Sequence, residues 1–98
     1  MPEFSVKELW EKLRDTAERL GVDETKNHRC IVLWNHIIEE REFYKISLCV
    51  NRSYVYARVP RSDVEAFMND DNTEAFHRIW ATVKAKHIDE YGKHQTRK

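Results

Sequence analysis

The sequence predicts an α+β domain. Its expected order is a helix, a three-stranded antiparallel meander, a short helix and a long C-terminal helix, with the helices on one face of the sheet. Three observations carry this. Apolar residues recur at helical spacing near the start of the chain and again after Thr73. Apolar and polar residues alternate on both sides of Asn51-Arg52, as in a hairpin. Only two glycines and two prolines interrupt the 98 residues, which leaves most of the chain for regular structure.

Ser5 opens the first helix and forms a capping box with Glu8. Val6, Leu9, Trp10, Leu13, Ala17 and Leu20 fall on one stripe, and Gly21 supplies a left-handed stop. Residues 22–28 are polar and read as a loop. The stretch "CIVLWNHIIEEREFY" follows. Cys30 to Trp34 is β-branched and aromatic, which favours a strand. Positions 30, 33, 34, 37 and 38 also fit a helical period, so a second helix at 28–41 beside a two-stranded hairpin is the alternative. Pairing favours the meander. A turn at residues 39–42, with Ile38 facing Phe43, sets Ile31, Leu33 and Ile37 opposite Val50, Leu48 and Tyr44. Ile46, Val55, Ala57 and Val59 extend the same apolar face, and Asn35 alone is out of place. A one-residue slip would destroy that agreement.

Pro60 stops the last strand. Ser62 and Glu65 form a second expected capping box, followed by Val64, Phe67 and Met68 in a short helix. "NDDN" breaks it. From Thr73, the residues Phe76, Ile79, Trp80, Val83, Ile88 and Tyr91 keep helical spacing until Gly92. The expected organisation is one domain over residues 1–92 with a basic, mobile tail at 93–98.

Charge and composition exclude several function classes. With 17 basic and 17 acidic residues the net charge is zero, which argues against a generic polyanion binder. Residues 28–61 and 77–98 are nevertheless locally basic, whereas 62–76 are acidic. Cys30 and Cys49 make no metal or redox spacing and suit a reducing compartment. No apolar run is long enough to span a membrane and no basic-then-apolar leader opens the chain, so cytoplasm or nucleus is expected. The histidines at 28, 36, 77, 87 and 94 match no ligand motif, and two glycines hardly make a phosphate loop. No metal, cofactor or catalytic residue is assigned, and the chain is expected not to be an enzyme.

"SLCVNRSYVYARV" holds the functional signal. One face of this hairpin carries Leu48, Val50, Val55, Ala57 and Val59. The other carries Cys49, Tyr54, Tyr56 and Arg58. In the meander register this free face also holds Cys30, Val32, Trp34, His36, Ile38, Phe43, Lys45 and Ser47. The candidate binding residues are therefore Trp34, Lys45, Arg52, Tyr54, Tyr56 and Arg58. Rings interleaved with cations suit unpaired bases, each stacked base being worth about 1–3 kcal/mol. The same residue types anchor protein interfaces. A third possibility is that the C-terminal helix covers part of this face. Arg29, Arg52 and Arg61 stand near strand ends, where they would widen a phosphate footprint. The two open sheet edges predict a dimer. Arg58 and Pro60 guard the 53–59 strand, whereas the strand from Cys30 has neither proline nor lysine.

The order of elements resembles the small Alu-domain proteins of the signal recognition particle, and most of all the smaller of that pair. The similarity lies in "MPEF", "VKELWEKLRDTAERL", "LCV", "YVYARV" and "AFHRIWATV", over roughly residues 1–83. Hydrophobic pattern supplies most of it. The resemblance implies pairing with a sister subunit and binding of structured RNA on the open sheet face, through Lys45 and Arg58 with Arg52 at the turn. The acidic 62–76 segment, the zero net charge and a last helix running to Tyr91 depart from that pattern. The expected function is an RNA-binding subunit of a ribonucleoprotein, as a homodimer or with a sister subunit. A protein-interaction or inhibitor module using the same face is the alternative.

Overall fold

Ser5 and Glu8 begin the fold as a reciprocal cap. Glu8 N–H donates to Ser5 Oγ at 3.1 Å, and Ser5 N–H donates to Glu8 Oε1 at 3.0 Å. This opens α1 (Val6–Leu20), which Gly21 closes at φ 64°. In the computed structural model, which describes residues 4–21 and 30–95, the chain continues as β1 (Cys30–Glu39), β2 (Phe43–Val50) and β3 (Ser53–Pro60). It ends with α2 (Arg61–Asp70) and α3 (Thr73–Gln95). The loop expected at 22–28 and Arg29 lie outside the described residues.

The three strands form one antiparallel sheet in the order β1-β2-β3. The fold class is thus the meander, with a continuous strand where the alternative had a second helix. All three helices pack on one side. Leu9 and Leu13 of α1, Val64 and Phe67 of α2, and Phe76, Ile79 and Val83 of α3 share a core with Ile46, Leu48, Val50 and Val59. Each such side chain contributes roughly 1.5–3 kcal/mol by leaving water. The β2–β3 pairing is the expected one: Leu48 faces Val55, Ile46 faces Ala57 and Tyr44 faces Val59. Asn51 and Arg52 close it with φ 49° and 71°, the two left-handed residues of a tight hairpin turn.

The β1 register differs from the expected one. Val32, not Leu33, pairs with Leu48, and Leu33 pairs with Ser47. The ladder then breaks and resumes with Ile37 opposite Ile46. Trp34, Asn35 and His36 therefore form a bulge of unpaired residues. It changes which residue parity faces the core, from Val32 before it to Ile37 after it. The physical reason is volume and polarity. Trp34 turns inward and stacks on Trp80 of α3 with ring centroids 6.1 Å apart, while Asn35 and His36 stay in water. The expected register left Asn35 facing the core, where its amide would need partners. Ile31 goes outward as a result and is 54% exposed. The turn is also tighter than expected, Glu40 N–H donating to Phe43 C=O at 2.8 Å across Arg41-Glu42.

Three smaller differences follow. The Ser62–Glu65 cap does not form, because α2 starts two residues earlier with Pro60 as its N-cap and no side-chain cap. Arg61 N–H donates to Glu42 C=O at 3.0 Å, which turns the chain straight from β3 into the helix. Asp71, left-handed at φ 53°, ends α2, and Asn72 Oδ1 accepts the Ala75 N–H to begin α3. Gly92 does not end α3, which runs on to Gln95, so 93–95 are helical where a tail was expected. A glycine inside a helix costs only about 1 kcal/mol, and no left-handed backbone is imposed here. Ile88 is on the exposed side of α3, and His87 takes the buried position against Tyr91.

Two stability measurements check this arrangement. Trp34→Ala should cost about 3–5 kcal/mol in denaturant unfolding, and Ile31→Ala less than about 1 kcal/mol. The expected register would give the reverse order. Arg52→Gly should stabilise the chain by about 1 kcal/mol, since glycine carries no penalty at a left-handed turn position.

Candidate interaction surface

The sheet face away from the helices is set by strand alternation and by the β1 bulge. Its rows can be read from the pairing. Ile31, Cys49 and Tyr54 form the row beside the β2–β3 turn. Leu33, Ser47 and Tyr56 form the next, and Ile38, Lys45 and Arg58 the third. Glu40, Phe43 and Pro60 close the far end. Small residues, Ser47 and Cys49, run down the middle, between aliphatic side chains on β1 and tyrosines on β3. Ile31, Ile38, Phe43, Tyr54 and Tyr56 are all exposed, Tyr54 to 70%. Apolar residues are thus gathered on one face with none of the described helices over it, a pattern that marks interaction sites.

The charges on this face are partly neutralised within it. Glu40 reaches Lys45 Nζ at 3.5 Å and Arg58 Nε at 4.0 Å. Lys45 also lies 4.8 Å from the centroid of the Tyr56 ring. This cation–π contact adds about 0.5–1 kcal/mol at an exposed site. The Arg58 side chain remains 66% exposed. Arg52 projects from the turn at the other end.

Five of the six expected residues therefore belong to this surface: Lys45, Tyr54, Tyr56 and Arg58 on the face and Arg52 at its rim. Trp34 does not, because the bulge turns it into the core, where it is 7% exposed. Val32 moves inward with it. Ile31 and Leu33 replace them, and sequence reasoning missed both. The adjacent polar pair Asn35-His36 inside an apolar strand was the available signal for a break in alternation.

Arg61, expected to widen a phosphate footprint, is engaged elsewhere. Its guanidinium donates to Arg41 C=O at 2.9 Å, to Glu39 Oε2 at 2.9 Å, to Tyr44 Oη at 3.3 Å and to Glu40 C=O. It also covers the Tyr44 ring at 4.9 Å. The hydrogen bond to Glu39 chiefly raises the Arg61 pKa further. Burial, followed by the charge of Glu39, holds the Tyr44 hydroxyl above its usual range, with Arg61 opposing. Arg61 is a structural clamp on the β1–β2 turn.

A cleft of about 210 Å³ opens between α1 and the α2–α3 junction, lined by Lys12, Thr16, Arg19 and Asp71 among others. Lys12 and Asp71 satisfy each other across it. Lys12 pairs with Asp71 at 2.6 Å, donates to Phe67 C=O at 3.1 Å and covers the Phe67 ring at 4.7 Å. Among the described residues, no group of three or more His, Cys, Asp or Glu stands close enough to hold a metal ion. No described helix is long and apolar enough to cross a membrane. No family model, curated protein or solved structure matches the chain.

The Lys12–Asp71 pair has a pH signature. The hydrogen bond from Lys12, and then its charge, hold the Asp71 carboxyl below the usual carboxylate range. A carboxylate depressed in the folded state stabilises it above the unfolded pKa, and that contribution is lost as pH falls through the folded value. Asp71→Asn should therefore be less stable than wild type near neutrality and show a shallower loss of stability below about pH 4. Urea unfolding between neutral and acid pH measures both.

Proposed function

We propose that the chain is a non-enzymatic binding module that docks a protein partner on its uncovered sheet face. The observation that carries this is the combination of exposed apolar residues with partly neutralised charge. Ile31, Ile38, Phe43, Tyr54 and Tyr56 offer aliphatic and aromatic anchors. Lys45 and Arg58 share one carboxylate, Glu40, which lowers the positive potential a polyanion would meet. Removal of Trp34 to the core also takes away the largest ring available for base stacking. The free thiol of Cys49 supports a reducing compartment, cytoplasm or nucleus.

RNA is the second reading, and one observation favours it. Arg52 occupies a left-handed turn position that glycine would fill without strain, and strain of this kind clusters at functional sites. Arg52 and Arg58 would then meet phosphates while Tyr54 and Tyr56 stack on bases. The resemblance to the Alu-domain proteins supports the same reading.

One experiment separates the two. The purified chain is used to capture partners from extracts, with and without ribonuclease, at low and high salt. A protein partner survives ribonuclease, depends modestly on salt, and is lost with Ile31→Asp or Phe43→Ser, each expected to weaken binding at least tenfold. Unchanged capture by both variants would defeat the protein reading. For RNA, titration against a structured RNA should give a steep salt slope, which Arg58→Ala flattens by about one unit in log–log terms.

A further inference from the structure

The two edges of the sheet are unlike each other, and in the opposite sense to the one the sequence suggested. The bulge at Trp34, Asn35 and His36 interrupts β1, so its outer edge offers no long regular ladder. β3 is regular along its whole length. Its turn makes Val50 and Ser53 a hydrogen-bonded pair, so the pairs Leu48–Val55, Ile46–Ala57 and Tyr44–Val59 are hydrogen-bonded too. Tyr54, Tyr56 and Arg58 then point their backbone N–H and C=O groups away from β2. Among the described residues, no backbone group outside the sheet bonds to them.

We propose that two copies of this chain pair antiparallel along β3, centred on Tyr56, and join their meanders into one six-stranded sheet. The strand is self-complementary in this register alone. Centred on Tyr56, each Tyr54 lies opposite Arg58 of the second copy, and the two Tyr56 residues face each other. All three outward residues exchange backbone hydrogen bonds. Directly opposed side chains stand about 5 Å apart at Cβ, close enough for Arg58 to meet the Tyr54 ring. A register centred on Val55 sets Arg58 against Arg52 of the second copy. One centred on Ala57 sets Tyr54 against Pro60, which has no N–H to give. The turn at Asn51-Arg52 and Pro60 thus bound a strand whose midpoint is Tyr56. The helices of both copies lie on the same side, and the two apolar open faces become one surface.

The test is the oligomeric state of the full chain by sedimentation equilibrium over a concentration series, with amide exchange as a second measurement. Wild type should show a monomer–dimer equilibrium, with the amides of Tyr54, Tyr56 and Arg58 gaining protection as the dimer forms. Tyr56→Pro removes the central N–H, which is not used within one copy, and should leave a folded monomer. Tyr54→Arg opposes like charges and should weaken the dimer at least tenfold. Combining it with Arg58→Tyr restores the pairing and should recover the dimer even if the proline variant fails to fold. A wild type that stays monomeric at high micromolar concentration overturns the proposal. So does a dimer that tolerates Tyr54→Arg, or one that protects amides of β1 in place of those of β3.

Discussion

The phase change in β1 governs this structure. A strand that kept strict alternation from Cys30 to Glu39 would bury either Val32 and Trp34 or Leu33 and Ile37, but not a set drawn from both. The three unpaired residues at 34–36 resolve this by letting Val32 face the core before the break and Ile37 after it. Trp34 meets Trp80 of α3 at the break, so the longest helix and the irregular strand are held by the same contact. Ile31 and Leu33 are turned outward by the same shift. The composition of the open face is thus a consequence of how the core is filled.

A second set of interactions keeps the other end of the sheet in place. Arg61 joins the β1–β2 turn to the start of α2 through two backbone carbonyls, a carboxylate and a phenol. A planar guanidinium can satisfy several acceptors at once in fixed directions, which a lysine cannot. With this arginine committed to the turn, the cations described on the open sheet face are Lys45 and Arg58, with Arg52 at its rim. Glu40 moderates the first two. Apolar area and partly balanced charge together are what support the proposed protein partner over a diffuse polyanion.

The cleft between α1 and the α2–α3 junction shows what a satisfied polar site looks like in the same molecule. Lys12 there has a carboxylate, a carbonyl and an aromatic ring around it. The open sheet face differs because its apolar side chains and the backbone groups along β3 have no such covering among the described residues. Binding would give those groups what the single copy does not.

Most of the architecture was legible in the sequence because it rests on short-range chemistry. The Ser5–Glu8 cap, Gly21, the Asn51-Arg52 turn and the alternation from Phe43 to Val59 all act within a few residues, and each element appears where they place it. The hairpin therefore disclosed Lys45, Tyr54, Tyr56 and Arg58 as one face. Tertiary structure alone decided β1. One uniform register offered nearly full apolar agreement, and the departure from it through a bulge depended on whether Trp34 would find a ring to pack on and Asn35 a route to water. Trp80 lies 46 positions further along the chain, so no local pattern could report that contact. Helix ends behaved alike: Arg61 was drawn into the β1–β2 turn and moved the start of α2, and Gly92 stayed helical because nothing around it demanded a turn. Spacing determined which residues share an element, and packing between distant elements decided which of them face water.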